Sequence, residues 1–208
     1  KQHMTIHWKA IVQDDSSIPA TEATLKEKAT LVGRIGLMML SVGTGAWRVR
    51  NSMNKVSRCL GITCTADIGL LAISYTCIEG TDTYTQSISL PTTGVNTHKL
   101  MELELFMKEF PDKVSTYSVK HIHEVLDEIQ KLPANYQAWN LGLASALACG
   151  AFTFLLGGGP VEMCCAFLGA GVGNFVRKKM LGHSISLLAN VAVSVAASCL
   201  VYVLTILL

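Results

Sequence analysis

The chain has 208 residues, half of them hydrophobic, with 17 Lys/Arg against 15 Asp/Glu. A net charge of +2 is too small to argue for nucleic-acid binding. Seven scattered cysteines, an odd number with no Cys-x-x-Cys pair, argue for reduced thiols and a cytosolic soluble part.

The composition splits the chain in two. Residues 1–133 hold 14 of the Lys/Arg and 14 of the Asp/Glu, whereas residues 136–208 hold only Glu162, Arg177, Lys178 and Lys179. The front part is long enough for one domain with its own core. Residues 1–22 have no period, include Asp14-Asp15-Ser16-Ser17, and read as a leader. The polar start lacks the apolar stretch of a secretory signal. Because it begins at Lys1 rather than Met, residues are expected to be missing or foreign there.

From residue 23 the pattern is that of a small α+β domain ending at 133. Thr24-x-x-Glu27 is a capping box, and Leu31, Ile35, Met38 and Val42 share a helical face. Gly43-Thr44-Gly45 interrupts, the period resumes through Val49, Met53, Val56 and Leu60, and Gly61 stops it. This predicts two helices with a glycine hinge, or one kinked helix. Period-two alternation then covers Leu71 to Cys77 and Tyr84 to Leu90, with Glu79-Gly80-Thr81-Asp82 as the turn and a third strand possible at residues 62–66. Asn96 can cap a helix with Leu100, Leu103, Met107 and Phe110 inside, closed by Pro111. Ser118 can cap another, with Ile122, Val125 or Leu126, Ile129 and Leu132 inside, closed by Pro133. The order suggests helices on one face of an antiparallel sheet.

The last part reads as an all-α transmembrane bundle with spans at about 136–156, 161–181 and 183–208. A span takes roughly 20 residues; the first and third blocks qualify directly, and the second only with its flanks. Small residues such as Gly169, Gly171 and Gly173 let membrane helices approach closely. A buried hairpin in a soluble protein is the competing explanation, but soluble domains rarely hold two such blocks. Basic residues stay on the cytoplasmic side, so the front domain and Arg177-Lys178-Lys179 are expected there. Ending inside apolar sequence, the natural chain is expected to continue with more spans.

Glu162 is the acid within that apolar part. Intramembrane acids face a cavity or a partner, which makes Glu162 a candidate for proton or substrate coupling. It can equally cap a helix, since Pro160 and a first-turn carboxylate are ordinary N-terminal chemistry. Gly157 and Gly158 belong to a Gly-Gly-Gly-Pro stretch that is either a tight turn or an unwound segment at a transport site. Asn140, Asn174 and Asn190 can coordinate substrate or hydrogen-bond between helices. Arg48 and Arg50 can hold a carboxylate or form surface salt bridges. His121 and His123, two apart on a helix, point to different faces and do not suit zinc. No metal, cofactor or nucleotide motif is expected, and no nucleophile–base motif supports a membrane-tethered enzyme.

Gly45-Ala46-Trp47-Arg48-Val49, then Asn51-Ser52-Met53 and Leu60-Gly61, resembles the Gly-Ala…Arg-Val signature of the threonine/serine exporter family. Lys99-Leu100-Met101-Glu102-Leu103, Phe154-Leu155-Leu156-Gly157-Gly158 and a short span opening at Glu162 resemble later parts of it, in the same order. The resemblance covers residues 31–208. It marks Gly45, Ala46, Arg48 and Val49 as a motif of the cytoplasmic domain. It implies a secondary exporter of threonine/serine or of a dicarboxylate such as succinate, in the cell inner membrane. It further implies a split-type chain that works with a small multi-span membrane partner subunit, as an oligomer. Trp47 departs from the family, which is often acidic there, and the later spans with a Pro-Leu-Val-Pro-Gly-type motif are absent. The rival is a membrane-anchored regulatory or assembly subunit without a substrate pathway of its own.

Overall fold

The computed structural model describes residues 6–12, 18–91, 93–133, 136–180 and 186–207. Two compact units divide the chain, residues 1–133 and 134–208.

In the first unit, α1 (Leu25–Ser41) opens on the expected capping box. The Thr24 side chain accepts from the Glu27 N–H, and the Glu27 carboxylate accepts from the Thr24 N–H at 3.0 Å. Every residue of α1 from Glu27 to Leu40 is buried, so this helix is the centre of the unit rather than one amphipathic wall. The glycine break is real: α2 (Ala46–Cys59) is a separate helix with Gly45 as its N-cap.

The sheet is a meander, β1 (Thr63–Ile68), β2 (Ala72–Glu79) and β3 (Asp82–Ser89), all antiparallel. Glu79 pairs with Asp82, leaving a two-residue turn. Gly80 supplies the positive φ of 60° that such a turn needs at its first position. Cys64, Ile73, Tyr75, Cys77 and Ile88 face inward, under α1 and α2. The outer face carries hydroxyl pairs, Ser74 with Ser87 at 2.8 Å and Thr76 with Thr85 at 2.9 Å.

Asn96 caps α3 (Thr97–Lys113) through the Lys99 N–H, and Ser118 caps α4 (Val119–Lys131) through the His121 N–H. Leu126, not Val125, is the fully buried residue of the α4 face. Pro111 does not close α3 but lies inside its last turn. A proline there strands the carbonyl four residues back. That carbonyl belongs to Met107, and Lys55 Nζ of α2 donates to it at 2.7 Å. The helix continues because another helix supplies the missing donor.

A buried ionic centre joins α1 to α4. Arg34 of α1 donates to the His123 carbonyl at 2.8 Å, meets His123 Nδ1 at 3.1 Å and pairs with Asp127. Trp8 stacks on the His123 ring, with centroids 4.8 Å apart and planes 5° from parallel. The segment expected to be a leader thus contributes a buried side chain to the core. Arg34 can only donate, so His123 Nδ1 must carry the lone pair and Nε2 the proton. Burial, then the neighbouring Arg34 charge, push the His123 pKa down to about 3.

Among the described residues the second unit is three helices: α5 (Ala138–Leu155), α6 (Pro160–Met180) and α7 (Leu187–Leu207). Two of them, α5 and α7, are long and apolar enough to cross a membrane, over 18 and 20 residues. At about 1.5 Å per residue either covers most of a hydrocarbon core. Their outward sides carry Leu143, Leu147, Phe152, Val193, Leu200 and Leu204, all exposed, which the core helix of a soluble protein does not show. The expected third crossing is corrected to two. α6 has the length, 21 residues, but it includes Glu162 and Arg177-Lys178-Lys179 and is rich in glycine. No 18-residue stretch of it reaches the apolarity of the others.

Candidate functional site

α6 packs between α5 and α7, antiparallel to each, and glycines set how close it comes. A methyl group on Gly142 of α5 would lie 3.1 Å from the Gly171 carbonyl of α6. One on Gly173 would lie 1.9 Å from Ser198 Oγ of α7, so the bare backbone there makes the space for a serine. Small residues are what allow polar groups to meet between helices where lipid gives no hydrophobic drive.

A polar seam runs along this contact. Asn174 of α6 donates its amide to Ser145 Oγ of α5. Asn190 of α7, 2% exposed, donates to the Arg177 carbonyl of α6 at 3.3 Å. Ser194 donates to the Asn190 carbonyl at 2.7 Å, and Ser198 to the Ser194 carbonyl at 3.0 Å. Ser145, Asn174, Arg177, Ser194 and Ser198, with Cys149, Gly173 and the Val191–Val195 side of α7, line an open cleft of about 230 Å³. Among the described residues no carboxylate lines it. Such a cleft offers amide and hydroxyl hydrogen bonds and one cation to a small polar ligand. Two other clefts among the described residues are lined by apolar side chains between α5 and α6, among them Trp139, Leu143, Leu147, Phe167 and Phe175.

The sequence candidates do not converge. Asn174 lines the cleft, and Asn190 adjoins it through Ser194. Asn140 is exposed in the first turn of α5. Glu162 is exposed in the first turn of α6, fifteen residues before Arg177 and therefore about 22 Å away along the helix. Its carboxylate reaches back over Gly159, where an added methyl would lie 2.8 Å from Glu162 Oε2. Gly157 has φ 86°, its N–H donates to the Phe154 carbonyl at 3.0 Å, and the Gly158 N–H donates to Thr153 at 2.9 Å. That pair of bonds is a Schellman cap, so these glycines terminate α5 and turn the chain.

The motif of the first unit is structural in its geometry. Gly45 is the N-cap of α2, Ala46 its first residue, and Val49 is fully buried. Arg48 pairs with Glu104 at 3.1 Å and lies 5.4 Å from the Trp47 ring centre, on the surface. Arg50 donates to the Ala66 carbonyl at 3.3 Å.

Three serines of the seam, Ser145, Ser194 and Ser198, went unseen in the sequence, and Arg177 counted there only as a marker of orientation. Two of them carried a spacing signal: Ser194 and Ser198 are four apart, on one face of α7.

Residues 30–208, more than four-fifths of the chain, match the model of a protein family described as "Putative threonine/serine exporter". No curated protein and no solved structure matches the chain.

Proposed function

We propose, because this chain belongs to the threonine/serine exporter family, that it is a subunit of a secondary transporter exporting small hydrophilic metabolites. The substrate is threonine or serine, or a dicarboxylate such as succinate. The observation that carries this is a family match running through both units, not one of them. The family is one of transporters rather than enzymes, and two apolar helices suit a membrane protein.

In this reading the substrate passes along the seam of α6. Polar side chains in a membrane bundle are costly and are kept where they face a cavity or a pathway. Asn174 and the serines around it answer that description. Glu162, Asn140, Asn190, Gly157 and Gly158 remain candidates for coupling or binding, with Glu162 the carboxylate to test first. The first unit lies on the cytoplasmic side of the inner membrane, and a small multi-span partner completes the pathway in an oligomer. Arg48 and its motif act in assembly or gating of that unit. Energy comes from an ion or substrate gradient.

An assembly role without a pathway is favoured by one observation, the apolar groove between α5 and α6, about 190 Å³, which another helix can fill. Reconstitution decides. The chain is placed in vesicles alone and with the candidate partner, and labelled threonine and succinate are followed. Flux that is lost in Glu162→Gln while assembly persists supports coupling at that residue. A wild-type complex that moves neither label leaves only the assembly role.

A further inference from the structure

We propose that Arg177 is a substrate anchor, holding a carboxylate of the transported molecule in the cleft between α5, α6 and α7; this rests on the exporter reading above. Four charged side chains occur in residues 136–208, and Arg177 is the one that lines the cleft. It makes no ion pair among the described residues, whereas Lys179 lies 5.4 Å from the centre of the Phe175 ring. Asn174 stands one helical turn before Arg177 on the same face of α6. Ser145 faces it from α5, and Ser194 and Ser198 from α7. A planar guanidinium matches a carboxylate with two parallel hydrogen bonds. The Asn174 amide and the serine hydroxyls are then placed for the rest of a small polar molecule. Gly173 keeps the floor open, since any side chain there would collide with Ser198.

A run of basic residues at a helix C-terminus also complements the dipole and the cytoplasmic membrane face. Lys178 and Lys179 share that role and do not line the cleft, so they separate the two explanations.

The test uses the full chain with its partner in vesicles, and two probes, succinate and its uncharged diamide. Half-saturation of counterflow by succinate, and inhibition by the diamide, are measured for the wild type, Arg177→Gln, Arg177→Lys and Lys178→Gln. A charged hydrogen bond lost from a binding site weakens it by about tenfold or more. The anchor therefore predicts that Arg177→Gln raises the succinate constant by at least about tenfold, leaves the diamide constant within about twofold, and is partly rescued by Arg177→Lys. Lys178→Gln changes neither. A merely structural Arg177 would weaken both probes alike, and that result overturns the anchor. So does a succinate constant equal to the wild type's in an Arg177→Gln complex that still moves label, and it leaves the exporter reading standing. A wild-type complex that moves no succinate or threonine overturns both.

Discussion

Acid should unfold the first unit through a single imidazole. His123 is fully buried, stacked on Trp8, with Nδ1 facing the Arg34 guanidinium at 3.1 Å. Protonating Nδ1 would set two donors against each other, and among the described residues Nε2 has no hydrogen-bond partner. The folded chain therefore takes up a proton only near pH 3, while the unfolded chain does so from the ordinary 6.5 downward. A depressed pKa on a base means the unfolded state binds more protons across that window. Stability is full above pH 6.5 and drains as pH falls toward 3. The whole shift is worth on the order of 5 kcal/mol, and by pH 5 about 2 kcal/mol of it is gone. For a unit of this size that lowers the melting temperature by roughly 6–10 °C.

Asp127 does not confuse the reading. Burial works to raise its pKa, but the Arg34 hydrogen bond and charge hold it below 3.8, so its contribution is lost only at lower pH. Thermal melts of the detergent-solubilised chain at pH 7.5 and 5, followed by tryptophan fluorescence, measure the effect. Trp8 is 7% exposed, against 68% for Trp47 and 70% for Trp139, so the signal reports the ring on His123. His123→Asn keeps an acceptor for Arg34 and cannot titrate. It should be less stable at pH 7.5 and lose little more by pH 5. An acid loss of the same size in His123→Asn, or none in the wild type, would refute the argument.

Three further outcomes are expected. Lys55→Met should cost about 1 kcal/mol by stranding the Met107 carbonyl, and the cost should vanish in a Pro111→Ala background, where the restored N–H bonds that carbonyl; a double-mutant cycle in denaturant measures it. Arg34→Met should cost about 3 kcal/mol or more by the same melts, since it breaks a buried pair and leaves His123 Nδ1 without its donor. Gly157→Ala should destabilise α5's end by about 1 kcal/mol through its φ of 86°, read from the same melts; a loss of vesicle flux per folded complex beyond that cost would place the glycine in the transport path.

The elements of the first unit were legible wherever the cause is local. The Thr24–Glu27 box, the Gly80 turn and the Asn96 and Ser118 caps each act within four residues of themselves, and each stands where its motif stood. Pro111 misled for the opposite reason. Its compensation comes from Lys55, 52 positions from the Met107 carbonyl it serves, and no local pattern carries that. The ionic centre was hidden likewise: Arg34 and His123 are 89 positions apart, and Trp8 lay in a segment with no period.

In the helical unit the asparagines drew notice and the serines did not, and the difference is one of hydrogen-bonding capacity. A serine in a membrane helix can satisfy itself on the carbonyl four residues back, as Ser194 and Ser198 do, so it announces no partner. An asparagine has two donors and an acceptor and must look to another helix, as Asn174 does to Ser145 and Asn190 to the Arg177 carbonyl. Glu162 drew notice for its charge, yet a charge at the first turn of a helix is already compensated by the free N–H groups there. The cleft thus sets Asn174, whose requirements reach across helices, beside serines already satisfied on their own helix. A carboxylate ligand would complete the group left most open among them, the guanidinium of Arg177.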